Sequence, residues 1–208
     1  MTGRKSYHHG NLHQELLEEA ARMLGEQGVD GISMRALAER VGVSRTAAYH
    51  HFKDKNALFC AIAEQGFEKW QTHFAQLMLE QSGDMNGWLK AFVHAYLDLS
   101  WKYPEEYDLM FGRPVWKNGE PTESLKEASF ACFQDYVNLI RSWQDKGTLA
   151  KDIDFLRLAQ VSWSMLHGMS RLLNDGVYLD RNSIDAMSDS AVAMILAAIQ
   201  SHDSRTAS

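Results

Sequence analysis

Cysteine and proline are scarce in this chain, two and three among 208 residues. Cys60 and Cys132 stand alone with no C-x-x-C partner, which fits small buried apolar residues in a reduced, cytoplasmic compartment. No run approaches the roughly 18 to 20 apolar residues of a membrane span, so no membrane association is expected. The opening stretch MTGRKSYHHGNL carries two cations with no apolar run behind them, and it does not read as a secretory signal. A G-x-S-x-G elbow, a P-loop and a dinucleotide fingerprint are all missing, so neither enzyme chemistry nor a cofactor has a foothold. His9 and His13 lie four apart, and His8–His9 and His50–His51 are adjacent pairs. No Cys or acidic residue completes a metal set around them at recognisable spacing, so no metal site is expected. Internal repeats, low-complexity segments and strand-type alternation are absent as well.

What is present is a full apolar complement, 45% of the residues, enough for a core. The length suits one large domain, or a small domain joined to a larger one. The net charge of −6 is unevenly spread. Residues 1–55 hold eight Lys/Arg and seven Asp/Glu, a balance of +1; the other 153 hold 13 and 20, a balance of −7. Five of the nine histidines also fall in the first part. Only that quarter suits a polyanion; the rest would repel one.

Helical periodicity runs throughout and predicts an all-α fold. The first helix is expected over 11–27, with Asn11 and Gln14 resembling a capping box and Gly28 and Gly31 ending it. A short helix over 33–40 has Ser33 as N-cap and Leu37 facing inward. Gly42 then supplies a tight turn. Ser44 caps another short helix ending near Phe52, and Asp54 caps a long one over 55–80. Further helices are expected near 84–102, 104–111, 122–146, 153–174 and 183–201. The stretch 112–124, GRPVWKNGEPTES, reads as a long loop with two prolines.

Two short helices joined by a Gly-containing turn and steadied by a preceding helix make a helix-turn-helix, whose second helix enters the major groove. Here that helix reads SRTAAYHHF. Small Thr46, Ala47 and Ala48 allow close approach, and cations and imidazoles flank them. Ser44, Arg45, Thr46, Tyr49 and His50 are candidate contacts with double-stranded DNA; their plainer reading is a solvated helix face. Arg45 suits either a guanine edge or a phosphate. Arg35 and Lys55 are candidate phosphate ligands, Lys55 at the start of the long helix, and Lys53 is a DNA-binding candidate through its long-range charge. Phe52 belongs in the core. Arg4, Lys5, His8 and His9 form either an arm along the duplex or a loose terminus.

The segment GISMRALAERVGVSRTAAYHHFKDKNALF resembles the DNA-binding signature of the TetR family of bacterial transcriptional repressors, over roughly residues 12–60. The Gly-Val-Ser turn, the Tyr-x-His-Phe segment, the Lys that follows and the Ala57–Leu58 pair carry the likeness. Ala48 departs from it, since many relatives have a larger residue or proline there. YHHGNL and, more loosely, WSMLHG (Trp163, His167, Gly168) resemble a branch named for a Trp-His-Gly C-terminal domain. The resemblance implies a nine-helix homodimer whose C-terminal helices bind a small molecule that lowers DNA affinity.

Aromatic residues concentrate toward the C-terminus: 18 of 22 lie beyond Phe59, including all six tryptophans. Phe92, Tyr96, Met110, Phe133, Tyr136, Trp163 and His167 are the candidate lining of an apolar effector pocket. Trp163 and His167, four apart, read equally as a satisfied core pair. Leu158, Val161, Leu166, Met169 and Leu172, then Ile184, Met187, Ala191, Met194, Ile195 and Ala198, suit a four-helix dimer interface or intrachain packing. The expected organisation is a DNA-binding domain over 1–55 and a ligand-binding and dimerisation domain over 56–208. The function that follows is a ligand-responsive, sequence-specific regulator, a repressor released from a palindromic operator by a small-molecule effector. The alternatives are a DNA-binding protein without ligand control and an enzyme that keeps a helix-turn-helix.

Overall fold

The computed structural model describes residues 12–80, 84–177 and 184–200. Every regular element among them is helical: α1 (Leu12–Gly31), α2 (Met34–Val41), α3 (Arg45–His51), α4 (Lys55–Leu79), α5 (Met85–Lys102), α6 (Pro104–Phe111), α7 (Arg113–Trp116), α8 (Glu123–Asp145), α9 (Phe155–Asn174) and α10 (Ile184–Gln200). Nine of these were expected. The tenth, α7, corrects the loop expected over 112–124: one four-residue turn forms there, with Pro114 in its first turn, where a missing N–H costs nothing. No described helix is long and apolar enough to cross a membrane.

The chain forms two compact units. Among the described residues the first comprises 12–66 and 105–126, the second 67–80, 84–104, 127–177 and 184–200. In the first, side-chain caps decide where the short helices begin. Ser33 Oγ accepts the Ala36 N–H at 3.1 Å, Ser44 Oγ accepts that of Ala47 at 3.1 Å, and Asp54 Oδ1 accepts that of Ala57 at 2.7 Å. Each satisfies an amide the helix cannot. Gly42 closes α2 in the left-handed region, φ 80°, and its N–H reaches back to Ala38 O. Gly28, φ 66°, interrupts α1 where the first helix was expected to end. Asn11, half of the expected capping box, lies outside the described residues; Gln14 instead donates to Glu18 at 2.9 Å. Leu16, Leu17, Ala20 and Leu24 of α1 bury with Leu37 and Ala38 of α2, Ala48 of α3, Phe52 and Leu58. Each fully buried leucine contributes roughly 1.5–3 kcal/mol.

The same unit holds a strap, residues 117–122, between α7 and α8. Asn56 Nδ2 donates to the Glu120 carbonyl at 2.8 Å, and the Glu120 N–H donates to Asn56 Oδ1 at 3.2 Å. One turn along α4 the Cys60 thiol donates to the same carbonyl at 3.6 Å, and one turn further Ser124 Oγ donates to Glu64 at 3.0 Å. Trp116 Nε1 donates to Met110 O at 2.6 Å, closing α7 onto α6.

Aromatic rings organise the second unit. Phe92 stacks on Tyr136 (5.2 Å, 4°) and on Trp88 (5.4 Å, 13°), while Trp70 meets Tyr96 edge-on at 5.3 Å. Trp88 Nε1 donates to Leu77 O at 2.9 Å, and the Tyr136 hydroxyl pairs with Ser162 Oγ at 2.8 Å. These bonds let polar tips sit in an apolar core. Asn174 ties the end of α9 to Ser100 O at 3.0 Å, and Lys90 pairs with Asp189 of α10 at 2.8 Å. Trp143 Nε1, Ser170 Oγ and Ser188 Oγ are buried without a hydrogen-bond partner among the described residues.

Candidate nucleic-acid interface and effector site

Helix α3 is seven residues long and has two faces. Ala48 is wholly buried, and Phe52, just past its end, is 3% exposed. Arg45, Thr46, Tyr49 and His50 are exposed. Their spacing, i, i+1, i+4 and i+5, groups them on the side opposite Ala48. Tyr49 is 45% exposed, a large phenol left partly in water. Ser44 spends a lone pair on the Ala47 N–H and keeps its own O–H for another acceptor. The small core residue at 48 brings α3 close to α1 and α2. On the far side His13 of α1 lies 4.8 Å from the Phe52 ring and 5.9 Å from that of His51.

The cations gather nearby in sequence. Arg35 is exposed on α2 and donates Nε to Glu39 at 2.9 Å; that bond, then Glu39's charge, raises its pKa further, so it is always a cation. Lys53 is exposed and Lys55 half-buried. Lys55 Nζ lies 5.1 Å from the centre of the Phe59 ring. Neither lysine has a carboxylate partner among the described residues. Arg4, Lys5, His8 and His9 lie outside the described residues. Among those described, no three His, Cys, Asp or Glu side chains gather as a metal set.

Six of the seven expected effector residues lie in the second unit, and Met110 lies in the first. Phe92, Tyr96 and Tyr136 are buried within the packed aromatic core. Phe133, Trp163 and His167 make a half-buried row, with ring centres 5.3 Å and then 6.0 Å apart. Met110 belongs to the first unit, where its side chain covers Gly66 so closely that a Cβ there would sit 2.8 Å from Met110 Cγ. Burial, then the charge of Arg171, lowers the His167 pKa, so its imidazole is neutral at neutral pH. Burial pushes the Tyr136 hydroxyl up to about 12 against the opposing Ser162 bond. Gln71 Nε2 donates to Asp135 at 3.1 Å beside Cys132, whose thiol is pushed up to about 12 by burial and then by Asp135. The sequence reading passed over Ser162, Gln71 and Asp135. Their signal was present: polar residues on otherwise apolar helix faces.

Comparison with known proteins agrees with this geometry. Residues 16–62 match the family described as bacterial regulatory proteins, tetR family. Residues 89–198, more than half of the chain, match the tetracyclin repressor-like C-terminal domain. The transcriptional repressor AcnR of Corynebacterium glutamicum is 47% identical over 169 residues, 78% of this chain and 82% of that protein. AcnR of Corynebacterium diphtheriae is 50% identical over 52 residues; that alignment spans 25% of this chain and only 27% of the relative. The structure of a protein of unknown function from Rhodococcus sp. RHA1 superposes with a TM-score of 0.82 at 29% identity, over 94% of this chain and 99% of that one. The chain belongs to the tetR family of bacterial regulatory proteins.

Proposed function

We propose that the protein is a cytoplasmic, ligand-responsive, sequence-specific DNA-binding regulator and not an enzyme, a repressor that leaves its operator when a small molecule binds. One observation carries this: a capped helix buries Ala48 while offering Arg45, Thr46, Tyr49 and His50 to solvent. Arg35, Ser44, Lys53 and Lys55 supply phosphate contacts around it. In functional terms residues 1–55 read DNA, and 56–208 bind the effector and dimerise. The corynebacterial relatives are named repressors, which supports repression over activation.

The effector is largely apolar with one polar handle. The Phe133–Trp163–His167 row supports this, because it joins aromatic faces to a neutral imidazole that donates and accepts. With Gly168, Trp163 and His167 also support membership of the Trp-His-Gly branch. Homodimerisation is supported by a methionine-rich groove of about 350 Å3 on α9 and α10, lined by Met165, Met169, Met187, Ala191 and Met194.

Selection of bound duplexes from a random pool tests the reading. The expected product is a site with a dyad, its half-sites about one helical turn or a multiple apart. On that site Arg45→Ala costs about 1–3 kcal/mol and relaxes preference at one half-site position. A site without a dyad, occupied by one monomer, removes the dimer; turnover without salt-sensitive duplex binding removes the regulator.

A further inference from the structure

We infer that Asn56 is a positioning residue for DNA binding: its side-chain amide latches the strap to the first turn of α4 and thereby fixes where Lys55 presents its charge. The inference rests on Lys55 as a phosphate ligand.

Asn56 follows Lys55 directly in the chain. Its amide donates to one backbone group of Glu120 at 2.8 Å and accepts from the other at 3.2 Å. A planar amide that satisfies both groups of one residue fixes distance and orientation together. Cys60 and Glu64, at successive turns of α4, extend the line of contact. The strap is shaped for this approach. At Gly119 a Cβ would collide with Asn56 Oδ1 and lie 2.8 Å from Pro114 O and 2.9 Å from Val115 O, so only glycine lets the chain come this close.

A cleft of about 430 Å3 opens beside the latch, lined by Lys53, Lys55, Phe59, Pro114 and Asn118. The strap meets the start of α4 through the two hydrogen bonds of Asn56. Such contact holds the helix end, with the ammonium of Lys55 over the Phe59 ring. Latched, the first turn of α4 has one position and the lysine rises from a fixed base. Unlatched, that turn is held by the Asp54 cap alone, and the charge spreads over more positions. Asn56 itself touches no DNA and acts through Lys55. The strap runs on into α8, which carries Phe133 and Tyr136.

The test uses the full-length protein and the selected operator duplex, with affinity measured across a salt series. Asn56→Ala should lower affinity about tenfold, two hydrogen bonds being lost. It should also flatten the slope of log K against log salt by about 0.9 per subunit, as Lys55→Ala does. Added to Lys55→Ala, it should cost nothing more. Gly119→Ala, which breaks the latch from the strap side, should reproduce both effects, and it decides the matter if Asn56→Ala does not fold. A merely structural Asn56 leaves the salt slope at its wild-type value. That result in both variants, or losses that add to those of Lys55→Ala, overturns the inference alone. A wild-type protein that binds no duplex overturns the DNA reading with it.

Discussion

Cys132 and Tyr136 occupy consecutive turns of α8, and burial makes ionisation costly for both. Their pKa values rise from 9.0 and 10.0 to about 12 each. Below pH 9 both are protonated whether the chain is folded or not, and their contribution to stability is fully present. As pH climbs from about 9 toward 12, the unfolded chain sheds protons that the fold retains, and stability falls. His167 acts at the other end of the scale. Its pKa is lowered from 6.5, so below that pH the unfolded chain takes up a proton that the fold resists, and stability falls again. The melting temperature should thus hold a plateau between about pH 6.5 and 9 and decline on both sides. The double variant Cys132→Ser/Tyr136→Phe should soften the alkaline decline relative to its own plateau. An alkaline limb unchanged in that variant would assign the loss to other groups.

A seven-residue helix is too short to hold itself together in water, so α3 depends on its cap and on its burial. Ser44→Ala and Ser33→Ala each remove one capping bond and should each cost about 1 kcal/mol in urea unfolding. Only Ser44→Ala should also cut operator affinity several-fold beyond that, because it loosens the helix that carries Arg45 and Tyr49. Equal affinity losses in the two variants would mean that α3 is held by packing alone. The caps themselves were legible from sequence: Ser33, Ser44 and Asp54 each precede an apolar-periodic run, and the structure uses all three. Phe52 was legible as inward, but Ala48 was not: it reads beside Thr46 and Ala47 as a small residue for close approach to DNA, and the structure buries it against the core instead. Helix α7 was not legible either, because four residues around a proline carry no period. The Asn56–Glu120 pair was invisible because 64 residues separate its partners. Met110 illustrates another limit: an apolar residue on a helix declares that it is buried but not in which unit.

For the molecule as a whole, the exposed apolar residues on the last two helices are the clearest sign of an unfinished surface. Val161 is 69% exposed and Met194 65%. Met194→Asp places a charge on the methionine groove and should yield monomers in sedimentation equilibrium, with a parallel loss of operator affinity as one half-site goes unread. A dimer of undiminished stability would move the interface elsewhere. The joints between the two units have a different consequence. The chain passes from one unit to the other after Gly66, inside α4, after Pro104, at the turn that opens α6, and after Lys126, in the first turn of α8. A loop at such a joint absorbs an added residue, whereas a helix turns everything beyond it by about 100°. A chimera that grafts the C-terminal part of one relative onto the helix-turn-helix of another must therefore keep helical phase at the α4 and α8 joints.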